Sequence, residues 1–431
     1  MKKAPIKKGR VERASPALDT PTKGGGLYEC LGGEDACRKL VKAFYARVER
    51  DPVLRPLYHI THHACHATLE SLTLFLDQFL GGDGGYSRRR FYLSLREAHG
   101  RFRIGKREQA AWLRTMQMAI DDVQIPEPAR SALRRFFAQS SPFMINHPEP
   151  VEKLSDLLAE SEACCEGQEP RSADFGQALT WRWNRQRALE AIVHAARQGE
   201  ARRALDLIAS PIVETCLRED RATLVGLLAV LGTSGCADLI DEVCRRLEGE
   251  PPLVRERHAC GRTLLHDAAG GWNPGLIALL LRLGADPNAV DQAGHAPLYC
   301  AGNAVLEAGG CDVEAGEEAV RALAHGGANV NAQDGVKRCT ALHMAARRGN
   351  VRVAGALVAC GADLEVRDSL GDTPLRRAVN CGKGEVVAFL LSKGADVHST
   401  GSKGLTPWKA ARGAAMKKLL QPFVEADAPA S

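Results

Sequence analysis

One motif recurs down the C-terminal half of this chain, and its spacing limits the fold more than any other feature. It reads Thr263-Leu-Leu-His266, Ala296-Pro-Leu-Tyr299, Thr340-Ala-Leu-His343, Thr373-Pro-Leu-Arg376 and Thr406-Pro-Trp-Lys409, at separations of 33, 44, 33 and 33 residues. After each of the first four copies comes a Leu/Val-rich run and then Gly-Ala-Asp or Gly-Ala-Asn, at Gly284, Gly327, Gly361 and Gly394. Thr caps a helix N-terminus and Pro fits its first turn. Gly ends the next helix in a left-handed conformation, and Asp or Asn then turns the chain into a connecting finger. A unit this short cannot bury its own apolar face, so neighbouring units must stack.

The period and pattern resemble ankyrin repeats over residues 261–426, with an insert in the second copy around 306–316. The segment 179–260 is predicted helical and repeat-like but degenerate: its Ala195-Ala-Arg-Gln-Gly199 echoes Ala345-Ala-Arg-Arg-Gly349, so it extends the stack at its N-terminal end. Residues 427–431 are a short tail. The resemblance implies an unidentified protein partner on the concave face and fingers. Finger-tip candidates are Gln292, His295, Lys337, Arg338, Asp368, Asp372, Ser402 and Lys403, each of which otherwise reads as a solvated turn.

Charge narrows the remaining possibilities. The net charge is +5, and the Pro/Gly-punctuated tail 1–26 carries all of it, through Lys2, Lys3, Lys7, Lys8, Arg10, Arg13 and Lys23 against Glu12 and Asp19. That tail is predicted disordered, and the neutral remainder argues against a nucleic-acid partner, which requires a basic face. No run is long and apolar enough to span a bilayer. The 14 cysteines include no CxxC pair, so neither a zinc nor a disulfide framework is expected; free thiols without a secretion signal point to a reducing cytoplasm.

Within residues 86–120, His99 shares a helical face with Leu95 and Phe91, and Gly100 stops the helix directly after it. Phe102 and Ile104 add apolar bulk, and a second helix carries Trp112, Met116 and Ile120 on one stripe. An imidazole at the rim of an apolar pocket is a haem-iron ligand type, although a histidine on an apolar face is more often simply packed. From Leu27 the order is LYECLGG, KAFYARVERDPVLRPLY, ESLTLFLDQFLGG, the stretch just described, and SPFMINHP. Residues 27–148 resemble the truncated haemoglobins, the group-two branch in particular. The resemblance implies an all-α, two-over-two helical globin followed by the ankyrin solenoid.

It further implies haem b, with His99 as the iron ligand. Tyr45, Tyr58 and Trp112 are the implied distal polar residues, Thr68 and Leu72 lie near the ligand, Tyr86 and Arg96 lie toward the propionates, and Leu95 and Phe102 flank the histidine. Phenol and indole donors stabilise a diatomic ligand that takes on negative charge, by about 1–3 kcal/mol per bond in a dry site. Two departures stand out: Phe91-Tyr92-Leu93 replaces the family's Gly-His-Pro step, and Ala98-His99-Gly100-Arg101-Phe102 replaces Arg-His-x-Pro-Phe. His59, His62, His63, Cys65 and His66 form a compact cluster that reads either as a metal site or, by its irregular spacing, as a solvated turn. Residues 151–160 are predicted helical and 161–178 an acidic linker.

The reading of the whole is a globin that binds dioxygen or another diatomic ligand, joined to a protein-interaction array and serving as a gas or redox sensor or adaptor. One alternative is a haem enzyme of nitric oxide dioxygenase or peroxidase type, localised by the array; it needs an external electron donor, since no reductase or flavin motif is visible. The other is a scaffold without haem.

Overall fold

The structure is a computed structural model that describes residues 27–58, 62–82, 86, 99–100, 102–146, 175–304 and 313–426, with backbone alone at 27, 30, 58, 62–68, 313, 403 and 426. Both tails, the helix expected over 151–160, most of the expected linker and the start of the insert lie outside the described residues. The described residues are helical, with no strand.

The N-terminal body comprises α1 (Leu27–Leu31), α2 (Gly33–Val48), α3 (Arg55–Tyr58), α4 (His62–Leu80), α5 (Lys106–Asp122) and α6 (Ala129–Ser140). Helix α2 buries Cys37, Leu40, Val41, Phe44, Tyr45 and Val48, a stripe at helical spacing that must face other apolar surfaces. It lies against α4 and α5, and α5 lies against α6. On α5 the inward stripe is Ala111, Thr115, Met116, Ala119 and Ile120. Glu108 reaches back to the Gly105 N–H at 2.9 Å and closes the N-terminus of α5.

Helix α7 (Phe175–Gln198) begins three residues before the expected end of the linker, 178. The reason is apolar: Phe175 and Leu179 pack on the N-terminal core, so the chain is helical as soon as it reaches that surface. Further along, Trp181, Ala188, Ile192 and Ala195 enter a second core that runs through the whole C-terminal half.

That half begins with α8 (Ala201–Ile208), α9 (Pro211–Glu219), α10 (Arg221–Gly232) and α11 (Ala237–Gly249). The motif-bearing short helices follow, α12 (Leu264–Gly270), α14 (Pro297–Asn303), α16 (Ala341–Arg348), α18 (Pro374–Asn380) and α20 (Pro407–Ala410). Their partners are α13 (Pro274–Arg282), α15 (Val313–His325), α17 (Val351–Ala359), α19 (Gly384–Ser392) and α21 (Ala414–Ala426). Short helices touch short helices of neighbouring units and long ones touch long ones; α10 and α11 continue both rows through α12 and α13. Gly284, Gly327, Gly361 and Gly394 all have φ near +90°, the left-handed stop their positions demand. Thr340, Thr373 and Thr406 accept a hydrogen bond at their helix starts.

The fourth motif residue is a staple between units. The Thr263 N–H donates to Nδ1 of His266 at 3.1 Å, and His266 Nε2 donates to the carbonyl of His295 in the next unit at 3.0 Å. Thr340, His343 and the carbonyl of Asp372 repeat this at 3.2 and 3.0 Å. Arg376 serves the same purpose with a cation in place of a neutral ring, donating to the carbonyls of Leu405 and Thr406 at 2.7 and 2.6 Å. The histidine arrangement needs a neutral ring, with one nitrogen accepting and the other donating. Burial lowers the His266 pKa to about 4 and pushes His343 down as well. Since the folded value lies below the unfolded one of about 6.5, this stabilisation is complete above pH ~6.5 and is lost progressively as pH falls toward 4. Its full size is on the order of 3 kcal/mol. We therefore expect His266→Gln to melt lower at pH 7 and to show a shallower loss of melting temperature between pH 6.5 and 4 than the parent protein. Scanning calorimetry at several pH values checks this, and identical slopes would refute the neutral-staple assignment.

Candidate functional site

The N-terminal body encloses a cavity of about 190 Å³. Tyr45, Leu72, Tyr86, His99, Phe102 and Trp112, all singled out from the sequence, line it. Helix α2 supplies Tyr45, α4 supplies Leu72 and α5 supplies Trp112, while His99 is helical just before the turn that precedes α5 and Phe102 lies in that turn. Tyr58 lies on α3 and Thr68 on α4, both with side chains outside the description; Leu95 and Arg96 lie outside the described residues altogether. In the histidine cluster, His59 is outside the described residues, and only the backbone is described at His62, His63, Cys65 and His66.

A chain of aromatic rings builds the walls. Phe44 sits 5.2 Å from Tyr45 and 5.5 Å from Trp112, and Trp112 meets Phe137 edge-on at 5.7 Å. Phe136 contacts Phe137 at 5.1 Å and stacks on Phe79 at 5.0 Å; Phe79 stacks on Phe75, which meets Tyr86 edge-on at 5.3 Å. Rings in such offset and edge-on pairs hold one another in place beyond the gain from their buried area. Residues from four helices, α2, α4, α5 and α6, are thereby fixed around one apolar space.

The turn after His99 is held by a residue that periodicity does not reveal. Asn146 donates from Nδ2 to the Phe102 carbonyl at 2.9 Å and to the His99 carbonyl at 3.3 Å. Its Oδ1 accepts from the Ile104 N–H at 2.9 Å, and its own N–H donates to the Ile104 carbonyl at 2.9 Å. The end of the body thus clamps the segment that carries the imidazole. A polar residue inside Phe143-Met-Ile-Asn146 was the available signal, but its partners lie over forty positions back. Gln109 was missed for the same reason: it donates to Ser141 Oγ at 2.7 Å at the cavity wall. Trp183, on α7, also lines the cavity.

Farther along α4, Tyr28 donates a short hydrogen bond to the buried Asp77. Burial, reinforced by that carboxylate, raises the Tyr28 phenol above its ordinary range, and burial pushes the Cys37 thiol up to about 12. Both groups stay neutral in the packed wall.

The residues present suit a porphyrin better than a bare cation. A porphyrin brings four nitrogen ligands, so one imidazole completes the protein's share, whereas a bare transition-metal ion needs three or four side chains. Among the described residues, no three His, Cys, Asp or Glu side chains gather into such a group. The rest of the lining is mostly apolar, as a flat hydrophobic macrocycle requires, with Tyr45 and Trp112 as hydrogen-bond donors on it.

Sequence comparison agrees with this geometry. The Bacterial-like globin family model matches residues 26–146. The group 2 truncated haemoglobin YjbI of Bacillus subtilis is 31% identical over 130 residues, 30% of this chain and 94% of that protein. The chain belongs to the truncated haemoglobin family. Family membership implies haem and ligand binding by the globin domain. Ankyrin-repeat models match residues 260–292 and, as three copies, 311–400. Ankyrin repeat and SOCS box protein 16 of Homo sapiens is 31% identical over 124 residues, 29% of this chain and 25% of that protein. Protein PhlB of Serratia liquefaciens is 34% identical over 130 residues, 30% of this chain and 53% of that protein. The chain thus spans a quarter and about half of these two relatives. The ankyrin repeats imply protein interaction.

On that array the finger candidates divide. Asp368 and Asp372 are buried rather than presented to solvent: Asp368 pairs with Arg377 and caps the Leu370 and Asp372 N–H groups, and Asp372 accepts from the Ser402 N–H at 2.8 Å. They fold the finger and are removed from the contact candidates. His295 stacks on Tyr299 at 4.2 Å and faces Asp291 at 3.1 Å. Val290, Val336 and Leu370 stand exposed on successive fingers.

The Asn146 clamp predicts a local cost. Asn146→Ala should lower globin-domain stability in full-length protein by about 1–3 kcal/mol, because it removes three side-chain hydrogen bonds to the backbone of that turn. Urea unfolding followed by globin-domain fluorescence measures this; a midpoint unchanged from the parent protein would mean the turn holds itself.

Proposed function

We propose that this protein binds haem b through His99 and takes up dioxygen or another diatomic ligand in the cavity lined by Tyr45 and Trp112, while its ankyrin array engages a protein partner in the cytoplasm. The observation that carries this reading is the convergence of one imidazole and two hydrogen-bond donors on a single apolar cavity. When bound, haem would supply an iron able to take up a small gas.

The chain's own residues do the rest. His99 offers one neutral ring nitrogen as a ligand, and the clamped turn holds its backbone at a fixed depth. Leu72 and Phe102 exclude water, which strengthens any hydrogen bond made inside. Tyr45 O–H and Trp112 N–H donate to a ligand that accumulates negative charge; by resemblance to the family, Tyr58 and Thr68 would be further distal residues. By the same resemblance, Tyr86 and Arg96 would serve the propionates and Leu95 would flank His99. The free thiols at Cys37, Cys216, Cys260 and Cys339 fit a reducing compartment.

Purified full-length protein titrated with hemin should develop a Soret band at one equivalent. His99→Ala should abolish it or leave the spectrum of unligated hemin. Tyr45→Phe or Trp112→Phe should speed ligand dissociation from the reduced, hemin-loaded protein by roughly tenfold each, the value of one hydrogen bond in a dry site. A parent protein whose spectrum with hemin stays that of free hemin, or a His99→Ala spectrum identical to the parent, would overturn the assignment.

A further inference from the structure

The haem-pocket wall is not built from the globin segment alone. Trp183 lines the cavity, yet it lies on α7, well beyond the family match that ends at 146. It meets Phe136 edge-on at 5.8 Å and Phe143 edge-on at 5.4 Å, joining the ring chain that leads to Trp112 and Tyr86. One residue earlier, Arg182 donates to the Phe79 carbonyl at 3.0 Å, capping the C-terminal end of α4 with a cation. A Cβ on Gly81, at φ +107°, would stand only 2.8 Å from the Arg182 guanidinium, so the glycine leaves the space this docking needs. On the other side of the same helix, Trp181 and Ile192 lie in the solenoid core, and α7 packs against α8, α9 and α10.

We propose that Trp183 is a positioning residue of the ligand pocket, and that α7 couples pocket occupancy to the order of the first solenoid units. The proposal rests on the haem reading above and deepens it. A rigid helix held by two cores cannot shift at one end without disturbing the other. A group that fills the cavity presses on Trp183 and stabilises the docked position of α7. By reciprocity, whatever tightens the first solenoid units tightens retention in the pocket.

The test uses full-length protein and hemin. Release of hemin to an excess of a haem-scavenging apoglobin should be roughly tenfold faster from Trp183→Ala than from the parent, and within about twofold of the parent for Trp183→Phe, which keeps an aromatic edge. Hydrogen exchange in the parent should slow on hemin addition in residues 201–232 as well as in the globin domain. That distant slowing should vanish in Trp183→Ala. Equal release rates, or slowing confined to residues 27–146, would overturn the proposal while leaving the haem reading intact. Failure of the parent to take up hemin would instead remove the haem reading itself. Should Trp183→Ala not fold, the exchange comparison on the parent protein decides the coupling alone.

Discussion

A helix with apolar residues on two faces has to be buried twice, and α7 meets that requirement by belonging to two cores. Phe175, Leu179 and Trp183 recur every four residues and turn to the globin body; Trp181, Ala188, Ile192 and Ala195 turn to the solenoid. Exposing either face would cost roughly 25 cal/mol for each Å² of apolar surface returned to water. The globin and the array are therefore not beads on a flexible string at this junction. Interfaces between domains are usually more polar than cores, and this one is built instead from aromatic rings and one cation on a helix terminus.

The same economy of means shapes the pocket. No single residue makes it; it is the space left when α2, α4, α5, α6 and α7 each present an aromatic or aliphatic side chain to the others. Its polar members are few and are held from behind. Asn146 fixes the turn of His99, Gln109 is paired with Ser141, and Glu108 is spent on the start of α5. A site of this kind binds an apolar, planar group and orients it with a handful of directional contacts.

In the solenoid, polar contacts both join neighbouring units and fold each finger. Neutral histidines and one arginine reach the next unit's backbone, and buried Asp334 and Asp368 fold the fingers by capping successive N–H groups. Asp267 is equally buried: it accepts from Arg262 and His258, and these outweigh the burial that would raise its pKa, holding the carboxyl below its usual range. Such groups are structural because they are paired and dry. Val290, Val336 and Leu370, by contrast, stand exposed along the finger edge.

The sequence by itself determined the helical class, the repeat units, the left-handed glycines and the histidine with its apolar and aromatic companions. Those features are local or periodic, and a spacing of 3.6 or of 33 residues can be read along a string. Only the tertiary structure decided which polar residues are contacts and which are struts. Asp368 and Asp372 look like solvated turn residues until Arg377 and Ser402 are seen beside them. Asn146 and Trp183 look like an ordinary chain end and an ordinary repeat-helix tryptophan until the fold brings them to the turn of His99 and the rings of Phe136 and Phe143. The physical reason is that most of these partners are distant, 30 positions away for Asp372 and up to 47 for Asn146, and sequence order carries no record of which groups will share a dry space.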